Sequence, residues 1–219
     1  MSHSNPLQNH DFAQAWHALT AADDNHRGEH SADLAFWRDY ATTYDANSGR
    51  IDRFAETLAA IQQFVQPTDT LLDVGAGTGR FALPLAQSAA HVTALDHAAP
   101  MLAILREKIA QQQISNITIQ EAAWEDADVP MHDVVLAAWS LYRLPDLVAG
   151  MRKLVDATRR TLIIVTSPGR APDETPLHLY FYGALWQAGV LADVQIVWER
   201  PEDEIRPIPV ALLVWHKTS

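Results

Sequence analysis

The chain reads as an α/β protein built on an open, mostly parallel sheet, and three observations carry that expectation. Short apolar runs alternate with amphipathic helical stretches from residue 51 onward, the pattern that lays helices on the faces of a parallel sheet. One run, Leu71-Leu72-Asp73-Val74, passes into a turn with three glycines at alternate positions, Gly75, Gly77 and Gly79, followed by a helical pattern. A second run, His91 to Asp96, ends on a carboxylate 23 residues after Asp73.

Composition narrows the class. With 219 residues, 48% apolar and 20% charged, the chain is long enough for one sizeable core and short for two. It has no cysteine, so disulfides, thiolate metal sites and cysteine nucleophiles are excluded. No apolar run reaches the length of a membrane span, and Met1 to His10 is polar, so the expectation is a cytoplasmic protein without a membrane partner. Sixteen Lys and Arg face 27 Asp and Glu, a net charge of −11. Gripping a phosphate backbone takes clustered basic residues, so a small-molecule partner is expected rather than nucleic acid. Oligomeric state is not legible.

The first 50 residues read as a helical cap ahead of the main domain, 51–219. Leu7, Phe12, Ala15, Trp16 and Leu19 recur at near-helical spacing between Pro6 and Thr20. Asp23 to Gly28 interrupts the pattern. A second helix is expected from Ser31, a suitable N-cap, to Tyr44, with Leu34, Trp37, Ala41 and Tyr44 on one stripe. His3, His10 and His17 lie seven apart, about 10 Å along a helix, too far to share an ion. His26 and His30 are separated by Gly28, which weakens any helix between them. No metal site is expected.

Arg50 to Val65 carries Ile51, Phe54, Leu58, Ile61 and Val65 on one face and stops before Pro67. The first strand, Thr70 to Val74, and the glycine turn follow. Each glycine tolerates positive φ and lets a ligand approach the backbone, and N–H groups at a helix start attract polar or anionic ligands. A dinucleotide fingerprint would be G-x-G-x-x-G; here the third glycine position holds Arg80. The next helix, Phe81 to Ala89, accommodates Pro84 only within its first turn.

Asp73 through Gly79 resembles motif I of class I S-adenosylmethionine-dependent methyltransferases, E/D-x-G-x-G-x-G, matching at Asp73, Gly75, Gly77 and Gly79. The resemblance implies a Rossmann-like methyltransferase fold: a seven-stranded, mostly parallel sheet of order 3-2-1-4-5-7-6, helices on both faces and an N-terminal helical cap. It also implies S-adenosylmethionine as cofactor, with S-adenosylhomocysteine as product. Asp96 matches the family's ribose-binding acid, in line with nucleoside-binding α/β sheets generally. Phe36 to Asp45 is similar to the family's W-x-x-x-A-x-x-Y-D lead-in, whose tyrosine, here Tyr44, lies near the methionine end of the cofactor.

Helix Met101–Ala110 and strand Ile117–Gln120 come next. In Glu121-Ala122-Ala123-Trp124-Glu125-Asp126, Ala123 occupies the place where the family commonly has an adenine-reading Asp. Trp124 is either a cofactor wall or core packing, and Glu125 or Asp126 either supplies the missing acceptor or forms a solvated turn. Strand Asp133–Ala138 leads to Trp139-Ser140-Leu141-Tyr142-Arg143-Leu144-Pro145-Asp146, similar to a family segment with Tyr142 and Arg143 replacing its histidine pair. Trp139, Ser140 and Tyr142 are candidates for the methyl-transfer face, against packing for Trp139 and capping for Ser140.

An amphipathic helix spans Pro145 to Ala157, closed by Arg159 and Arg160, before strand Thr161–Thr166. A Pro- and Gly-containing loop, Ser167 to Pro176, precedes His178, Tyr180 and Tyr182 at alternate positions and a helix through Leu185 to Ala188. Strand Val194–Trp198, a charged connection from Glu199 to Pro209, and strand Val210–Trp215 complete the sheet. If a general base is used, Tyr142, His178 and Tyr182 are the candidates. The expected activity is methyl transfer to a small molecule by in-line displacement. Alternatives are a non-catalytic protein binding S-adenosylmethionine or S-adenosylhomocysteine on the same fold, or an NAD(P)-dependent oxidoreductase.

Overall fold

The computed structural model describes residues 11–22, 30–46, 54–169, 174–201, 204 and 206–217. Seven strands form one sheet of order β3-β2-β1-β4-β5-β7-β6: β1 Thr70–Val74, β2 His91–Asp96, β3 Ile117–Glu121, β4 His132–Ala138, β5 Thr158–Thr166, β6 Asp193–Glu199 and β7 Ile208–His216. The first five pair in parallel, and β7 runs antiparallel to both β5 and β6. Side chains alternate between the two faces of a strand, and the core divides accordingly. Leu72, Val74, Val135, Ala137, Leu162 and Ile164 enter one apolar layer. Leu71, Val134, Leu136, Ile163 and Val165 enter the other.

The first layer is covered by α6 (Leu147–Ala157), α7 (Leu177–Gln187) and α1 (Phe12–Ala22). The second is covered by α3 (Ala55–Gln62), the single turn α4 (Ala82–Leu85) and α5 (Ala99–Gln111). The two N-terminal helices therefore part. Trp16 of α1 is fully buried, and its indole N–H donates to the Leu144 carbonyl at 2.7 Å. By contrast α2 (His30–Tyr44) lies on α5, with Trp37, Ala41 and Tyr44 against Ala98 and Met101.

Four local expectations are corrected. The helix after the glycine turn spans only Ala82–Leu85, with Pro84 at its third position, within the first turn where the ring is tolerated; single turns carry the chain on to Ala89. Arg159 and Arg160 do not close a helix. They lie in β5, where Arg160 pairs with buried Asp69 and donates to the Phe64 carbonyl, and Arg159 pairs with Asp133 at 2.6 Å. Helix α2 begins at His30, one residue ahead of the expected Ser31 cap. Helix α7 begins at Leu177 and so includes His178, Tyr180 and Tyr182. The side chains of Ser31 and Leu34, and residues His3, His10, His26, Gly28, Arg50 and Ile51, lie outside the described residues.

Candidate cofactor site

The site begins with backbone conformation. Gly75, Gly77 and Gly79 have φ of +77°, +55° and +89°, a region L residues rarely enter. The turn is held by the Gly75 and Ala76 N–H groups, which donate to the Leu95 carbonyl at 2.8 and 3.0 Å. A Cβ on Gly75 would lie 2.2 Å from Ser140 Cβ. The hydroxyl of Ser140 donates to the Val74 carbonyl at 2.6 Å, drawing the end of β4 tight against the end of β1. Only glycine fits there.

Asp96, at the end of β2, is buried. One carboxylate oxygen accepts the Gly77 N–H and the other the Ala98 N–H, each at 2.8 Å. Burial raises its pKa, resisted by those two N–H groups and by His97, whose Nδ1 lies 3.7 Å away. Asp73 is fully enclosed. Burial and then the neighbouring Asp96 carboxylate push it up to about 7, while the Ala82 N–H and Arg80 pull it down.

A cleft opens at the carboxyl ends of β1, β2 and β4, lined by Gly75, Asp96, His97, Ala123, Trp124, Glu125, Ser140 and Arg143 among others. This is where the strand order reverses about β1, the ligand position of open α/β sheets. Of the residues singled out in the sequence, Gly75, Asp96, Trp124, Glu125 and Ser140 line this cleft. Trp124 is buried in the core, its indole N–H donates to the Gly150 carbonyl at 3.2 Å, and it also lines the cleft. Lys153 Nζ sits 4.9 Å from its ring centroid.

Other candidates stand apart from the cleft lining. Asp73, Gly77 and Gly79 support the turn from behind, with Leu105 and Leu83 closing on Gly79 and Met101 Cε on Gly77. Trp139, itself at φ +50°, turns to the opposite layer and packs on Phe54 and Phe81. The Tyr44 hydroxyl is hydrogen-bonded by Arg80, and the Arg80 guanidinium lies over the rings of Phe54, Tyr44 and Trp139 at 4.7, 5.3 and 5.4 Å. Tyr142 and Tyr182 are half-buried beside the α6–α7 layer. His178 opens α7 with burial lowering its pKa, so the ring is neutral at pH 7, and its Nδ1 is buried with no hydrogen-bond partner among the described residues. A larger shallow groove over α6, lined by Asp146, Arg152, Lys153 and Asp156, is remote from the glycine turn.

Three contributors escaped the sequence reading: Thr78, Lys108 and the acceptor role of Asp45. The Thr78 hydroxyl donates to Asp45 at 2.6 Å, and Lys108 pairs with Asp45 at 2.7 Å. Asp45 had a signal, as the last letter of the Y-D lead-in, whereas Lys108 is one polar residue among many on α5. Among the described residues no group of three metal-ligating side chains converges, and no helix is long and apolar enough to cross a membrane.

Fold and site together define an open α/β sheet protein with a cleft at the carboxyl ends of its central strands. Residues 71–161 match a family model described as a methyltransferase domain. The matched segment carries the glycine turn, Asp96 and strands β1 to β4, the part of the chain that is similar to class I S-adenosylmethionine-dependent methyltransferases. The chain is 31% identical over 147 residues to an uncharacterized protein of Haemophilus influenzae, covering 61% of this chain and 55% of that one. Thus it spans about half the length of that relative. It is 25% identical to the magnesium-protoporphyrin O-methyltransferase of Rhodobacter capsulatus, over 78% of this chain and 77% of that one. Other relatives are named as ribosomal RNA methyltransferases. A solved S-adenosylmethionine-dependent methyltransferase from Aquifex aeolicus shares the fold, with a TM-score of 0.64 at 15% identity, covering 83% of this chain and 98% of that one.

Proposed function

We propose that the protein transfers a methyl group from S-adenosylmethionine to a small-molecule acceptor, residues 51–219 forming the catalytic domain and residues 1–50 its cap. The observation that carries this is the meeting of Gly75, Asp96 and Trp124 in one cleft at the strand-order reversal. The residues fit the cofactor: a glycine cradle that a Cβ would fill, a buried carboxylate for ribose hydroxyls, and an indole wall for adenine. When bound, the cofactor supplies a sulfonium methyl carbon open to in-line displacement by an acceptor nucleophile.

The chain's own residues then bind, orient and exclude water, which is most of what such a reaction needs. Asp96 keeps lone pairs beyond its two N–H bonds, and Tyr44, Asp73, Gly77 and Gly79 hold the turn that faces the ligand. Glu125 offers the acceptor that Ala123 lacks, and Trp139 shapes the floor beyond the turn. Tyr142, His178 and Tyr182 are the candidate bases for a hydroxyl acceptor; a reactive amine or thiolate would need none. A net charge of −11 favours a small acceptor over RNA, whose relatives' substrate would call for a basic face. A second reading, cofactor binding without transfer, draws on Ala123.

The deciding experiment titrates the protein calorimetrically with S-adenosylmethionine, S-adenosylhomocysteine and NADH, then screens acceptors with labelled methyl donor. Binding of the first two alone, followed by labelled product, is the expected result. Binding of NADH alone would overturn the reading, and cofactor binding with no transfer to any acceptor would favour the second.

A further inference from the structure

We infer that Asp45 is a positioning residue for the cofactor site, fastening the end of α2 to the glycine turn so that docking of α2 and the ligand-ready shape of the turn form one equilibrium. The inference rests on the cofactor reading and adds to it the element that controls it. A turn with three positive φ values has little intrinsic stability, so its shape depends on what grips it. On the cleft side the grip is Asp96, which holds Gly77 N–H. On the other side it is Thr78, which is fully buried. Its hydroxyl donates to Asp45 Oδ1 at 2.6 Å, and its carbonyl accepts from Lys108 Nζ at 3.0 Å. Lys108 closes the ring by pairing with Asp45 Oδ2 at 2.7 Å.

These contacts join three elements: the end of α2, the turn after β1, and α5. Next to them the Tyr44 hydroxyl accepts from Arg80, a second tie between the same helix end and the same turn. The hydroxyl and the carbonyl of Thr78 are thereby spent on holding α2 and α5 in place. Asp45 and Lys108 keep 38% and 26% side-chain exposure, so the ring can open to water at modest cost, as a releasable tie should. Cofactor leaving the cleft and α2 lifting from α5 then draw on the same contacts.

The test follows hydrogen exchange in the ligand-free protein and S-adenosylhomocysteine binding, in wild type, Asp45→Ala, Asp45→Asn and Lys108→Met. Asp45→Ala should speed exchange in α2 and in residues 75–81 together while β4 and β5 stay protected. It should also weaken S-adenosylhomocysteine binding on the order of tenfold, mostly through faster dissociation. Asp45→Asn retains an acceptor for Thr78 and should fall between, close to Lys108→Met. Loosening of α2 alone, with the turn and ligand affinity unchanged, would overturn the inference, as would no change in either. If wild type binds no S-adenosylhomocysteine, the functional reading fails, yet the exchange of α2 and turn still decides the tie.

Discussion

At the residue scale the glycines divide by what surrounds them. Gly75→Ala would combine a φ of +77° with a Cβ 2.2 Å from Ser140 Cβ, so it is expected to cost about 2 kcal/mol or more of stability in urea denaturation, with loss of S-adenosylhomocysteine binding. At Gly77 the nearest atom is the flexible Met101 Cε at 3.3 Å. Gly77→Val, strained by its φ of +55° but facing no backbone clash, should lower stability without unfolding the chain and abolish cofactor binding in calorimetry, and Asp96→Ala should weaken it. Asp73 titrates near 7 in the folded chain against an ordinary 3.8. A carboxyl with a raised folded pKa holds a proton that the unfolded chain releases, so stability falls as pH rises from about 4 through about 7. Asp73→Asn should flatten that slope; parallel curves of urea midpoint against pH for the two proteins would refute it.

At the element scale, helices α6 and α3 show two ways to satisfy an N-terminus. Asp146 caps α6 locally, accepting Ala149 N–H at 2.9 Å. Helix α3 has no side-chain cap of its own. Its Glu56 and Thr57 N–H groups donate instead to Glu199 of β6, at 3.2 and 2.5 Å. Glu199 is 1% exposed, a buried carboxylate compensated by those donors and the helix dipole. Glu199→Ala should cost about 1–3 kcal/mol and raise amide exchange in α3, with cofactor affinity unchanged; lost affinity would show that α3 reaches the site. Helix α1 rests on a glycine of α7: a Cβ on Gly183 would lie 2.0 Å from Phe12 Cε1. Gly183→Val is expected to lift α1 and expose Trp16, seen as a red shift in tryptophan emission.

At the scale of the whole molecule, polar ties at the amino ends of the strands mirror the cleft at their carboxyl ends. Asp133 at the start of β4 accepts from the Thr70 N–H and hydroxyl of β1, each at 2.8 Å, and from Arg159 of β5. Burial raises its pKa, but these bonds outweigh it and bring the carboxyl down to about 2. A lowered folded pKa stabilises above the unfolded value of 3.8 and is lost as pH falls towards 2. Arg159→Gln should move the acid-unfolding midpoint to higher pH; an unmoved midpoint would place acid sensitivity elsewhere.

Much of this was legible in neighbouring residues. The strand 70–74, the glycine turn and the carboxylate of Asp96 at the end of the next strand follow from apolar period and glycine spacing, short-range properties that local φ limits and side-chain alternation make readable; the order of the strands was implied only by the resemblance to a methyltransferase sheet. Pro84 limited how far its helix could reach upstream, but not where it would stop. What only the tertiary structure decided are contacts between distant residues. Glu199 caps a helix 142 residues away, because β6 ends beside α3 at the sheet edge. Trp139 and Trp124 pack into opposite layers, Arg159 and Arg160 belong to a strand, and α1 and α2 part to separate faces. Asp45 meets Thr78 and Lys108 only once α2 lies on α5. Local pattern states what each segment is; the side chain that satisfies a buried donor depends on sheet order and helix placement, which no single segment contains.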